Sequence, residues 1–227
     1  MYPKSVRTWI GNGKVVLPSR ICENGSILIE NGRLSAVNKP PPINASIEDA
    51  CGGYILPGFI DLHVHGGGGA DFMDCEPDCF QVVARTHCQH GTTALLPTTM
   101  TCADEVLENM IACYLEAVKS SAAGAAQLLG LHLEGPFFSI KNKGAQPVGE
   151  QRVPTQNFLE HIINLAQGHI LRWDMAPELP NADVFAQIMK ENSIMASIAH
   201  TGATADQANA AFDMGFSHIT HFYSATT

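Results

Sequence analysis

Apolar and polar positions change period along the chain. Over residues 1–55 the apolar runs are short and separated by turn residues. Lys14-Val15-Val16-Leu17 is closed by Pro18-Ser19, and Ser26-Ile27-Leu28-Ile29-Glu30 runs into Asn31-Gly32. Asn-Gly between two apolar runs predicts a hairpin, with Arg33-Leu34-Ser35-Ala36-Val37 as the return strand. No helical period occurs here, so residues 1–55 read as a small β unit, ending beyond the Pro40-Pro41-Pro42 edge. From residue 56 to 227 strands and helices alternate. Apolar strands are predicted at 54–62, 92–97, 128–133, 170–175, 194–199 and from 218, with helices at 80–90, 103–120, 155–166, 182–191 and 205–214. Gly91 and Gly215 sit where a helix would stop. Short buried strands alternating with helices imply a parallel sheet, which suits a doubly wound sheet and a barrel equally.

Composition narrows the partners. A formal net charge of -9 with 13 Lys+Arg argues against nucleic acid or an anionic membrane as the ligand. Seven cysteines, an odd number in a chain of 227 residues, fit reduced thiols in a cytoplasm better than a disulfide framework. No apolar stretch approaches the roughly 18 residues a membrane helix needs, and Ile10-Gly11-Asn12-Gly13 interrupts any signal-like core at the N-terminus.

In parallel α/β folds chemistry gathers at the carboxyl ends of strands. His63 and His65 close the first barrel-type strand. At i and i+2 they share one face, so both imidazoles can meet one ion. Glu134 closes the third strand, His200 the fifth, and His221 follows the start of the sixth. Any one of these histidines is as readily a core residue. A carboxylate and two imidazoles at three strand ends describe a catalytic metal site with an open position. His132 shares a face with Glu134 and reads as a supporting or core histidine; His218 has the opposite parity to His221. Glu178, after Pro177, reads as structural.

The same residues carry a resemblance. Leu56-Pro57-Gly58-Phe59-Ile60-Asp61-Leu62-His63-Val64-His65-Gly66 resembles the first-strand signature of the amidohydrolase superfamily. Gly130-Leu131-His132-Leu133-Glu134-Gly135-Pro136-Phe137-Phe138, with Lys143-Gly144-Ala145-Gln146-Pro147, is similar to its N-acetylglucosamine-6-phosphate deacetylase branch. Gly91-Thr92-Thr93, Met175-Ala176-Pro177-Glu178 and Ala199-His200-Thr201-Gly202-Ala203-Thr204 fit the same pattern.

The resemblance implies an α/β fold: a (β/α)8 TIM barrel of the metal-dependent hydrolase type, its first six βα units present, with a small N-terminal β-sandwich portion. It implies Glu134, His200 and His221 as ligands of a main ion, and His63 and His65 as ligands of a second in members that hold two. Zinc is the expected ion, with Fe, Mn or Co as alternatives. It implies sugar contacts at Ala145 and Gln146, and at Ser224 and Ala225, where the branch has Asn-Ala, so that Ser224 is a departure. The implied reaction is hydrolysis of N-acetylglucosamine 6-phosphate to glucosamine 6-phosphate and acetate. The implied partners are the amino-sugar phosphate and a second copy of the chain, in a homodimer or larger homo-oligomer.

The branch's catalytic Asp belongs to the end of an eighth strand, and no residue here corresponds to it. The expectation is therefore a C-terminally incomplete barrel in which no residue of this sequence serves as the base. The alternatives are a short homologue that pairs with itself, a dihydroorotase-like or aminoacylase-like hydrolase, and a non-catalytic metal-binding protein. The two hydrolase classes commonly bridge their ions with a carboxylated lysine, and no lysine stands at a matching strand end here.

Overall fold

Asn31, at φ 52°, and Gly32, at φ 76°, take the left-handed conformations that a tight hairpin turn requires. They join β2 (Arg20–Glu30) to β3 (Arg33–Val37) in an antiparallel pair. β1 (Arg7–Leu17) is longer than its apolar run suggests, because Asn12 and Gly13 lie at irregularities in its pairing with β2 rather than at its end. β4 (Ser46–Asp49) and β5 (Tyr54–Ile55) both pair parallel with β1. The sheet runs β3-β2-β1-β4, and its core is Val15, Leu28 and Ile55. This computed structural model describes residues 6–120 and 123–226. The chain divides into two compact units, Met1–Gly58 and Phe59–Thr227.

The stretch expected as one strand at 54–62 is two. Pro57, which has no N–H to give a ladder, and Gly58 break it. β5 therefore stays in the first unit's sheet, and β6 (Phe59–Val64) opens the second unit. After β6 come the short pair β7 (Gly66–Gly67) and β8 (Ala70–Asp71), α1 (Pro77–Cys88) and β9 (Thr92–Pro97). α2 (Asp104–Ala117), β10 (Gln127–Leu128), β11 (Leu131–Phe137), α3 (Gln156–Leu165), β12 (Ile170–Met175), α4 (Ala182–Glu191), β13 (Met195–Ile198), α5 (Ala205–Met214) and β14 (His218–Ile219) follow. Gly130, at φ 159°, separates β10 from β11, which were expected as one strand. A Cβ there would lie 2.5 Å from the Leu171 side chain.

The strands of the second unit's main sheets are parallel. One sheet runs β10-β9-β6 and the other β11-β12-β13-β14, with a single bridge between Thr98 and His132 linking them. No closed barrel forms among the described residues. All seven residues of β11 are buried, as expected for a strand covered on both faces. Helices cover the sheets through faces of helical spacing. In α2 the buried side chains are Leu107, Met110, Ile111, Tyr114 and Ala117. Trp173 centres the core between Phe137 and Phe185, at ring separations of 5.7 and 6.1 Å, and its Nε1 donates to Gly135 O at 2.9 Å. No helix among the described residues is long and apolar enough to cross a membrane.

Candidate metal centre

Strand pleating delivers the side chains. Val64 is buried between His63 and His65, which turn together to the opposite face. Their Nε2 atoms are 3.1 Å apart. Glu134 enters from β11 and is only 2% exposed. His200 and His221 follow β13 and β14 in left-handed conformations, at φ 47° and 33°, which carry their rings back over the strand ends. The His200 turn is held by Glu178: Thr201 Oγ1 donates to Oε2 at 2.5 Å and Gly202 N to Oε1 at 2.7 Å. Glu178 is thus a clamp on this loop, not a helix start.

Glu134 divides its two oxygens between the two histidine pairs. Oε1 lies 2.9 Å from His200 Nε2 and 3.0 Å from His221 Nε2. Oε2 lies 3.1 Å from His65 Nε2 and 3.4 Å from His63 Nε2. Despite those distances Oε2 is buried without an acceptable hydrogen bond, because the angles are poor. Two sets of donors that could hold an ion result, His63-His65-Glu134 and Glu134-His200-His221, which share the carboxylate.

The far sides of the rings fix the tautomers. Nδ1 of His200 faces Asn142 O at 3.0 Å, Nδ1 of His221 faces Ser224 O at 2.9 Å, and Nδ1 of His65 faces Thr98 O at 3.2 Å. A carbonyl can only accept, so each Nδ1 carries the proton and each neutral ring turns a lone pair on Nε2 toward Glu134. This is the orientation that metal-ligating histidines share. Without a cation these lone pairs crowd one another, since His200 Nε2 and His221 Nε2 are also only 3.1 Å apart. Extra protons relieve the crowding. The hydrogen bond to Glu134 raises the pKa of His221. At His65 burial opposes protonation, but the close Glu134 carboxylate and its charge prevail and raise it too. Glu134 is buried, which alone would favour its neutral acid. The four imidazoles outweigh that and hold its pKa far below the usual carboxylate range. The donor set therefore fits a divalent cation.

The cluster opens into a cavity of about 470 Å³ that also takes in Ala145, Gln146, Ser224 and Ala225. The Gln146 amide is engaged elsewhere: Oε1 accepts from Thr101 N at 2.7 Å, and the residue is 2% exposed. Gly144 lies against His200; at φ 56°, a Cβ added there would sit 3.3 Å from the ring. Asp71 and Met100 line the cavity as well and were not singled out in the sequence. Asp71 sits in a Gly-rich turn whose path is set by the β7–β8 pair, and nothing local marks it. His132 lies wholly buried beneath the site, burial lowering its pKa against the pull of Asp174. His218 bonds Arg172 at 3.1 Å. Neither His132 nor His218 belongs to either donor set.

The amidohydrolase family model matches residues 54–226. N-acetylglucosamine-6-phosphate deacetylase of Bacillus subtilis is 34% identical over 93% of this chain and 54% of its own length. N-acetylgalactosamine-6-phosphate deacetylase of Escherichia coli O157:H7 is 31% identical over 90% of this chain and 53% of its own length. The crystal structure of N-acetylglucosamine-6-phosphate deacetylase from Pasteurella multocida superposes with a TM-score of 0.88 at 27% identity. That match covers 96% of this chain and 57% of that one. The chain thus spans about half the length of the relatives it matches.

Proposed function

The chain belongs to the amidohydrolase family, and from that premise we propose that it forms the metal-binding half of a deacetylase acting on N-acetylglucosamine 6-phosphate, releasing glucosamine 6-phosphate and acetate. The observation that carries this reading is Glu134 set between two histidine pairs, with three of the four rings tied to carbonyls through Nδ1. Glu134, His200 and His221 would hold a main divalent ion, and His63 and His65 a second that shares Glu134. Imidazole and carboxylate donors suit zinc, with Fe, Mn or Co as alternatives. A bound ion of this kind would supply Lewis acidity toward an amide carbonyl and lower the pKa of adjacent water.

The chain's own residues supply the rest of the setting. Nδ1–H bonds to carbonyls aim the rings of His65, His200 and His221, and the Phe138 ring packs 4.4 Å from that of His200. A cavity of about 470 Å³ falls within the range that holds small ligands. Ala145, Ser224 and Ala225 line it as sugar contacts. At position 146 the contact falls to the backbone, since the amide tip is bonded to Thr101 N. The base that takes and returns the proton is assigned to a carboxylate outside residues 1–227.

The strand and helix alternation supports the first six units of a (β/α)8 barrel, and the five-stranded sheet of the first unit supports part of a flanking β-sandwich. All seven cysteines are free, which supports a reducing, cytoplasmic setting. Phe59, Ile60 and Leu62 are about half-exposed on β6, an edge that a homodimer or larger homo-oligomer would cover.

The test is acetate release by this chain with added Zn2+ from N-acetylglucosamine 6-phosphate, its galacto epimer and the unphosphorylated sugar. Release from the gluco phosphate above the zinc-only blank, lost in Glu134→Ala, is the result that establishes the deacetylase reading and overturns the assignment of the base outside the chain. No release, from a chain that binds Zn2+ through Glu134, keeps the base outside residues 1–227. Failure to bind Zn2+ overturns the reading.

A further inference from the structure

Beneath the four histidines lies a second polar layer that the proposed chemistry does not use. His132 and Asp174 are wholly buried and Arg172 is 4% exposed. Barrel-type interiors are ordinarily filled by branched apolar side chains, so a buried Arg, Asp and His need partners.

Arg172 Nη2 donates to His132 Nδ1 at 2.7 Å and to Leu62 O at 3.0 Å, and Nη1 lies 3.1 Å from His218 Nε2. With Nδ1 accepting, His132 carries its proton on Nε2, which lies 2.8 Å from Asp174 Oδ2. That contact is short but poorly angled, for neither atom makes a hydrogen bond of acceptable geometry. Asp174 Oδ1 accepts from Thr220 Oγ1 at 2.9 Å, and Thr220 bonds Ser197 at 2.8 Å.

The placement of Leu62 gives this layer its consequence. β6 pairs with β9 and not with any strand of the β11-β12-β13-β14 sheet. The histidine pair at the end of β6 therefore reaches Glu134 across a gap that no backbone ladder spans directly. Arg172 spans it, from β12 to the carbonyl just before His63. The His63 ring also packs edge-on to the His132 ring at 4.9 Å, so the layer meets the His63 arm twice.

We infer that Arg172 is a positioning residue that ties the strand bearing His63 and His65 to the Glu134-His200-His221 cluster, and so sets the affinity of the ion held by the first pair. The inference rests on the reading of Glu134 as a carboxylate shared by two ions. A planar guanidinium with a fixed fork of donors serves three acceptors in different directions; a lysine ammonium is a point donor and does not.

Replacing Arg172 alone would strand the buried Asp174 charge. The test is therefore Arg172→Met combined with Asp174→Asn, which removes both charges. His132 can then keep a proton on Nδ1 toward Thr98 Oγ1, now 3.3 Å away, and accept from Asn at 174 through Nε2. The readouts are far-UV circular dichroism, the melting temperature, and calorimetric titration with Co2+ alone. The expected result is a folded variant that binds one equivalent within threefold of the wild type and the second at least about tenfold more weakly, the scale of loss for an outer-layer partner. Arg172→Lys would not restore tight binding of the second equivalent. Two equivalents bound as in the parent chain overturn the inference. Equal weakening of both equivalents with a fall in melting temperature also overturns it, as a general packing role. A parent chain that binds fewer than two equivalents overturns the shared-carboxylate reading itself, and this is seen before any variant is made.

Discussion

At the scale of single residues Glu134 governs the centre. It is the carboxylate common to both donor sets, and it carries a negative charge that an imidazole ligand cannot supply. Glu134→Ala is expected to weaken zinc binding by more than about 100-fold, beyond the 10–100-fold typical of losing an outer hydrogen bond. Equilibrium dialysis against Zn2+ measures this, and an unchanged affinity would remove Glu134 from the site. The pH dependence follows from His65 and His221, whose pKa values are raised in the metal-free chain. A raised folded-state pKa stabilises the metal-free chain at low pH, and that contribution is lost as pH rises through the raised value. An ion needs both rings deprotonated, so its affinity falls as pH drops through the same range. The gap in melting temperature between zinc-loaded and chelated chain should therefore widen as pH rises from about 6 to about 8. Thermal scans at several pH values check it, and a gap that narrows would contradict the assignment.

At the scale of elements the site depends on strands that end at one level and on loops that turn sharply there. β11 places Glu134, while the left-handed His200 and His221 bring rings from the ends of β13 and β14 to the same carboxylate. Trp173, fully buried on β12, packs on the face opposite Arg172 and Asp174. Trp173→Ala should destabilise the second unit by about 3–5 kcal/mol, the usual cost of emptying a large aromatic site. Denaturant unfolding followed by circular dichroism measures it, and a loss below about 1 kcal/mol would show that the aromatic cluster does not carry this core. The predicted helices at 182–191 and 205–214 coincide with α4 and α5, the latter through a capping box between Thr204 and Gln207. The predicted strand at 54–62 splits, because strand signals on either side of Pro57-Gly58 belong to different sheets.

At the scale of the whole molecule an ion at Glu134 would join two sheets that otherwise share one bridge and side-chain contacts. A ligand bound only by the folded state stabilises it by about 2.7 kcal/mol at 100 times its Kd. For a chain of this size that corresponds to a rise in melting temperature of roughly 5–10 °C. Scans with Zn2+ and with chelator test this, and equal melting temperatures would mean that the ion does not link the folded elements.

By itself the sequence determined whatever depends on neighbours a few residues apart. Asn31-Gly32 set the hairpin, strand and helix periods set the alternation, and i,i+2 spacing set His63 and His65 on one face. Strand ends marked Glu134, His200 and His221 as residues to bring together. The tertiary structure decided what depends on partners tens of residues away. It turned the Gln146 amide inward onto Thr101, made Glu178 a clamp on the His200 loop, and supplied the carbonyls that orient the rings. Arg172 and Asp174 read locally as two charges alternating with Trp173 along a strand. Only the register of β12 against β11, and the approach of Leu62 from a strand 110 residues earlier, make them the buried tie beneath the centre. Periodicity specifies the face a side chain occupies, whereas the atom it meets there is fixed by how separate strands pack.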